Sequence, residues 1–209
     1  MSVGSAPGRG AEVREVEDGE FAAAAGLISR AMAENPIHVA VWPDPEARRE
    51  GLQASVEANL RAGRRFAWGA WSEGCLAGAA VVARPGTCRP SPEAFARSHE
   101  RIEQIDAASA ERWSAWRQGW GRHDPARPHA HFGPFAVEAA LRRQGFGSAL
   151  MQRFCDFLDE NGTLGHLEAD KEENVPFYEG FGFRVFAEES VVGVPTWFMS
   201  REPEAAARM

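Results

Sequence analysis

Phe135-Ala136-Val137-Glu138-Ala139-Ala140-Leu141-Arg142-Arg143-Gln144-Gly145-Phe146-Gly147-Ser148 is the stretch from which the rest of the chain can be read. His131 to Val137 reads as a strand. Gly145 to Glu160 reads as a helix with Leu150, Phe154 and Leu158 on its buried face, and Asn161-Gly162 supplies the stop. The turn between them lets several backbone N–H groups converge on an anion. Gly145 and Gly147 permit close approach, the helix N-terminus adds roughly half a positive charge, and Arg142 and Arg143 add countercharge. A pyrophosphate suits such a turn. It is not a phosphate-binding loop of the Walker type, because no Gly-Lys-Ser/Thr follows. Nor is it the dinucleotide fingerprint, whose third glycine would fall on Leu150. Taken alone, the stretch reads first as an ordinary strand-to-helix turn.

A second segment lies about 30 residues on. Leu167-Glu168-Ala169-Asp170 reads as a strand, followed by Asn174-Val175-Pro176-Phe177-Tyr178-Glu179-Gly180-Phe181-Gly182-Phe183. Phe135-Ala136-Val137 with Arg142-x-x-Gly145-x-Gly147 resembles the acyl-CoA signature of the GNAT superfamily of N-acyltransferases. The later segment resembles that family's Asn-x-x-x-x-Tyr-x-x-x-Gly-Phe element. One departure is Ala139, where the family often has proline; that position shapes the turn. The likeness covers Phe132 to Arg201, whereas the N-terminal half matches in element order alone. The overall layout is similar to that of the puromycin N-acetyltransferase-like bacterial proteins, with a helical insertion ahead of the cofactor strand.

The resemblance implies an α/β (α+β) fold: a twisted mixed, mainly antiparallel sheet flanked by helices and splayed where acetyl-CoA enters. It implies that the backbone of Phe135, Ala136 and Val137 holds the pantetheine arm. The turn Arg142, Arg143, Gln144, Gly145, Phe146, Gly147 and Ser148 then holds the pyrophosphate, with Asn174 and Phe177 also on the cofactor. It places Tyr178, the sole tyrosine, as the acid that protonates the departing thiolate. The other reading of Tyr178 is a buried phenol bonded to a carbonyl, and that of Asn174 is a helix cap.

Acyl transfer to an amine also needs a neutral nucleophile and a polarised thioester carbonyl. An alkyl ammonium titrates near ~10.4, so a base or proton wire is required. His166, Glu168 and Asp170 share one strand face. Glu168 is the first candidate, as base or as a hook for a cationic acceptor; a buried carboxylate paired with arginine is the alternative. A backbone N–H at Ala136 or Val137 is expected to polarise the carbonyl. His38 and Glu34 are expected on the acceptor side, with Trp42, Trp113, Trp116 and Trp197 as wall or as packing. His129 and His131 share a strand face, but no third ligand stands at motif spacing, so no metal is expected.

Working outward, Ala11 to Val16 reads as a strand. A helix follows through Phe21, Ala25, Ile28 and Met32, capped by Asp18 and ended by Asn35-Pro36. Asp44-Pro45 opens a helix with Leu52, Val56 and Leu60 on one face. Arg64 to Trp71 and Cys75 to Ala83 form a hairpin about Ser72-Glu73-Gly74. Residues 88–128 read as a helical insertion, with Trp113, Trp116 and Trp120 on one helical face. One domain over 11–201 is expected, between a disordered tail at 1–10 and a C-terminal tail at 202–209. A domain of this size buries roughly 70% of its unfolded surface, so it needs no staple.

The 30 acidic residues exceed the 23 basic ones, which disfavours nucleic acid. No apolar run has the ~18 residues of a membrane span. Cys75, Cys88 and Cys155, an odd set without a CxxC pair, point to reduced thiols in a cytoplasmic setting; Cys155 reads as a core thiol. The expected function is acetyl-CoA-dependent N-acetylation of a primary amine of a small molecule by direct transfer. The alternatives are a protein or peptide N-acetyltransferase and a non-catalytic acyl-CoA-binding regulatory module. A homodimer through the last strands is common in the family.

Overall fold

The computed structural model describes residues 11–63 and 65–204. The expected tail at 1–10, the end of the tail beginning at 202, and the strand start at Arg64 lie outside the described residues. In chain order the elements are β1 (Glu12–Glu15), α1 (Phe21–Ala31), α2 (Pro36–Val41), α3 (Pro45–Arg61), β2 (Arg65–Ser72), β3 (Cys75–Ala83), α4 (Pro92–Ile105), α5 (Ala107–Gly121), β4 (His129–Val137), α6 (Phe146–Glu160), β5 (Leu164–Ala169), α7 (Val175–Glu179), β6 (Arg184–Val191) and β7 (Val194–Arg201). The seven strands form one mixed sheet in the order β1-β2-β3-β4-β5-β7-β6. Every neighbouring pair is antiparallel except β4 and β5. No described helix is long and apolar enough to cross a membrane.

Local chemistry sets most boundaries. Asp44 accepts from the N–H groups of Glu46 and Ala47, with Pro45 at the first position of α3. Glu73 and Gly74 take φ of 50° and 77°, the double left-handed geometry whose twist suits a two-residue hairpin. Two readings need correction. Asp18 does not cap α1. It lies in a 3-10 turn opened by a capping box between Glu17 and Glu20, and α1 starts only at Phe21. Asn35-Pro36 does more than end a helix: Asn35 Oδ1 accepts from Ile37 N at 3.0 Å, and Pro36 opens the short helix α2. Within the insertion, Asp106 caps α5 and separates it from α4.

One face of the sheet packs Phe66, Trp68, Phe132 and Leu167 on the Leu150-Phe154-Leu158 stripe of α6. The opposite face packs Ala67, Ala79, Val81 and Ala136 under α1 and α3. A third cluster joins α2, the insertion and the β6–β7 end through Trp42, Trp113, Trp116 and Phe198. Strand parity changes within β4. Ala130 and Phe132 face α6, yet after Gly133-Pro134 it is Ala136 that faces α1, because the β3–β4 register slips between Ala80 and Val82.

That slip matters because β4 and β5 part company there. Their pairing runs from His129↔Leu164 to His131↔His166 and stops. β3 stays paired with β4 as far as Gly78↔Val137. The far half of β4 therefore has a partner on one side only, and its other edge lines the opening of a splayed sheet.

Candidate active site

The splay opens into a cavity of about 790 Å³. Phe135, Ala136, Val137, Arg142, Glu168, Asn174, Phe177 and Tyr178 line it together. Arg143, Gln144, Gly145, Phe146, Gly147 and Ser148 are not on its lining; they form the turn that leads into α6. In that turn Arg143 has φ of 64° and Gly145 of 91°, successive departures into left-handed space that aim amides in one direction. Gly145 is the residue that ends the turn and begins α6. A Cβ on Gly147 would come within 3.2 Å of the Phe135 ring, so α6 starts tightly against β4.

Side chains in this region brace the backbone. Arg142 donates to the carbonyl of Ala31 at 3.1 Å and Gln144 to that of Ala140 at 3.2 Å. Arg30 pairs with Glu138 at 2.7 Å. Phe146 is buried against the sheet, and Phe135 stacks on Phe177 with centroids 6.3 Å apart. Asn174 makes no side-chain cap bond to α7, so the capping alternative falls away and its exposed amide is free for a ligand.

The other wall is built from ionisable groups. Glu168 does not pair with an arginine: its Oε2 accepts from His131 Nε2 at 2.7 Å and its Oε1 from His166 Nε2 at 3.1 Å. The reason is register, since β4 and β5 place His131 beside His166 on the face that Glu168 shares. Burial opposes charge on this carboxyl, but the two rings outweigh it and hold it below the usual range. Asp170, the residue just past the end of β5, has a buried Oδ1 without a hydrogen-bond partner. Burial, and then the charge of Glu168, raise its carboxyl to about 8. Burial raises the Tyr178 phenol above its ordinary value, with Asp170 and Glu168 adding to the effect. It therefore stays protonated at neutral pH.

His38 and Glu34 reach the cavity, as do Trp113 and Trp116 of the insertion. His38 is neutral, its ring lowered to about 4 by burial. Trp42 and Trp197 do not line it. Trp42 is fully buried against His38 and Trp116, and Trp197 packs on the sheet's other face. Cys155 is a core thiol, as expected. Alternation along the sequence marks the shared face of His166, Glu168 and Asp170, but nothing in the sequence signals the His131–Glu168–His166 relay, whose side chains stand up to 37 residues apart.

The family model described as "Acetyltransferase (GNAT) family" matches residues 32–183. The chain belongs to the GNAT acetyltransferases. Membership brings acyltransferase chemistry. Solved GNAT-like structures agree with this fold. One is described as histone acetyltransferase HPA2 and related acetyltransferase from Corynebacterium glutamicum. It is 20% identical with a TM-score of 0.72, covering 95% of this chain and 99% of that one. An agmatine N-acetyltransferase is 17% identical with a TM-score of 0.62, covering 92% and 99%. PaiA N-acetyltransferase from Thermoplasma acidophilum, in complex with coenzyme A, is 10% identical with a TM-score of 0.57, covering 92% and 98%. At these identities the likeness is one of fold.

Proposed function

We propose that this GNAT chain is an acetyl-CoA-dependent N-acetyltransferase acting on a primary amine of a small molecule in the cytoplasm, by direct transfer. The observation that carries this is the convergence on one cavity of the free edge of β4, a protonated Tyr178 and the Glu168–Asp170 pair. The pantetheine arm would run along Phe135, Ala136 and Val137, with Asn174 and Phe177 against it. The pyrophosphate would sit on the amides of the Arg142–Ser148 turn.

In the proposed reaction the acceptor arrives as an ammonium attracted by Glu168. Both oxygens of that carboxylate already accept ring N–H bonds. The proton therefore passes to Asp170, whose Oδ1 is unengaged and whose affinity for it is matched to neutral pH. The neutral amine attacks the thioester carbon, polarised by an N–H of Ala136 or Val137. The C–N bond forms, the C–S bond breaks, and the thiolate takes the Tyr178 proton. The new amide nitrogen sheds its excess proton through water to the Tyr178 phenolate, and Asp170 releases its own proton to bulk water. Juxtaposing the two substrates supplies up to roughly 7–11 kcal/mol in ideal geometry.

A small acceptor is favoured over a polypeptide because α4, through Arg101 and Ile102, and α5, through Trp113 and Trp116, line this end of the cavity. Agmatine, the amine in the name of one structural neighbour, is a sensible first candidate. Arg97, Arg101 and Arg117 also line the cavity, so amino acids belong in the same panel. Amine-dependent release of free CoA, saturable in both substrates, is the expected result. Tight binding of acetyl-CoA with no release for any amine class would favour the regulatory module instead.

A further inference from the structure

Both ends of the helical insertion meet at β4 in a buried cluster that touches the reaction above only through His131, which holds Glu168. Cys88 precedes α4 and Asp124 follows α5, while His129 and His131 project from one face of β4. One ligand-type atom from each of the four lies within 4.8 Å of every other. Cys88 Sγ is 2.9 Å from His131 Nδ1 and 3.4 Å from Asp124 Oδ1, and His129 Nε2 is 3.9 Å from that oxygen.

The proton positions follow from the outer partners. His131 Nε2 faces the Glu168 carboxylate, which only accepts, so the ring proton is there and the Nδ1 lone pair points inward. His129 Nδ1 faces the Arg127 carbonyl at 3.1 Å, so its proton is there and the Nε2 lone pair points inward. That Nε2 is buried without a partner, on a residue only 5% exposed. Arg89 Nε holds the other oxygen of Asp124 at 3.1 Å. Two ring lone pairs and a carboxylate oxygen thus converge with one hydrogen among them, on the Cys88 sulfur. Such a convergence of lone pairs suits a cation.

We propose that Cys88, Asp124, His129 and His131 form a four-coordinate site for a divalent transition metal of the zinc class, clamping the insertion to β4. One sulfur, two imidazoles and one carboxylate suit zinc. Donors in a tetrahedral zinc site stand about 3.3–3.6 Å apart, so closure around the ion needs only small shifts. Binding releases the Cys88 proton; thiolate and carboxylate then balance the two positive charges. Each histidine already gives its other ring nitrogen to a carboxylate or a backbone carbonyl, the outer arrangement that orients metal-bound imidazoles. With four protein ligands the site is closed, hence structural. It ties together the termini of a segment whose helices cover the acceptor end. Spacing alone conceals it, because only His129 and His131 share an element, while Cys88 and Asp124 lie 36 residues apart at the two ends of the insertion.

Cys88, His131 and Glu168 also line up as a thiol–imidazole–carboxylate relay, the layout of a nucleophilic cysteine. Asp124 beside the sulfur opposes a free thiolate, and the idle His129 nitrogen has no task in such a relay.

The test is to load the full-length protein with cobalt(II) and with zinc, and to read stoichiometry, absorption spectrum and melting temperature. One ion per chain is expected. The cobalt form should show tetrahedral d–d bands and a thiolate-to-metal charge-transfer band, and chelation should lower the melting temperature. Cys88→Ser should lose the charge-transfer band. His129→Gln, checked for native circular dichroism, should weaken binding at least tenfold and lose the chelator effect. Absence of binding at micromolar metal, a spectrum without the thiolate band, or binding unchanged in both variants would overturn the site. So would an acetyl group found on Cys88 after incubation with acetyl-CoA, since an acylated sulfur cannot ligate as thiolate.

Discussion

Around Gly145 the chain presents backbone: left-handed residues at 143 and 145, a helix N-terminus, and side chains such as Arg142 and Gln144 turned back to brace carbonyls. Around Glu168 it presents buried ionisable side chains linked across strands, with His131, His166, Asp170 and Tyr178 tuning one another. The first region binds through geometry that almost any side chain leaves intact, provided glycine stands at 145, where φ is 91°. The second works through charge and proton position, so single atoms matter. Substitutions in the two regions should therefore fail in different ways.

The largest effect is expected from Gly145→Glu, which forces a side chain into φ of 91° and adds negative charge at the proposed phosphate site. Calorimetric titration should find CoA affinity reduced on the order of a hundredfold or beyond detection. Normal affinity would move the pyrophosphate elsewhere. Tyr178→Phe should act the other way round, lowering kcat about tenfold or more with acetyl-CoA affinity nearly unchanged. Equal losses in affinity and turnover would make Tyr178 a packing residue.

Asp170→Asn sharpens the contrast, because it separates activity from stability. In the wild type, kcat/KM should climb with pH through about 8 as Asp170 becomes a free base, and the variant should lose that rise. Stability should run oppositely. The folded state keeps the Asp170 proton up to about pH 8, whereas the unfolded chain releases it near pH 4. The folded state thus binds more protons across that window and loses stability as pH rises through it. The melting temperature of Asp170→Asn should therefore exceed that of the wild type above pH 8, and the gap should close as pH falls toward 4. A gap independent of pH would mean that Asp170 titrates normally. The smallest effect is expected for Arg30→Gln, which removes a largely exposed pair with Glu138 beside the turn and should cost under about 1 kcal/mol in denaturant unfolding.

The same contrast explains what the sequence discloses. The hairpin about Glu73-Gly74, the start of α3 at Asp44-Pro45 and the stripe of α6 are legible because caps, turns and helical periods are local. The cofactor turn is legible for the same reason, its glycines marking positions that need positive φ or close approach. α2 escaped because Asn35-Pro36 serves one helix as a stop and the next as a start, and a six-residue helix shows little period. The partners of Glu168 escaped because β4 and β5 are joined through α6, and only their parallel register brings His131 beside His166. Trp42, Trp113, Trp116 and Trp197 look alike in sequence, yet only the middle two reach the cavity. Sites assembled from remote side chains leave no spacing to read.

The most direct measurement is the melting temperature of the wild type and of Gly145→Glu, each with and without acetyl-CoA. Binding to the folded state alone should stabilise the wild type by about 2.7 kcal/mol at a hundredfold excess over Kd, and should leave the variant unshifted. A wild type unmoved by millimolar acetyl-CoA would contradict the assignment of the splayed cavity to an acyl-CoA donor.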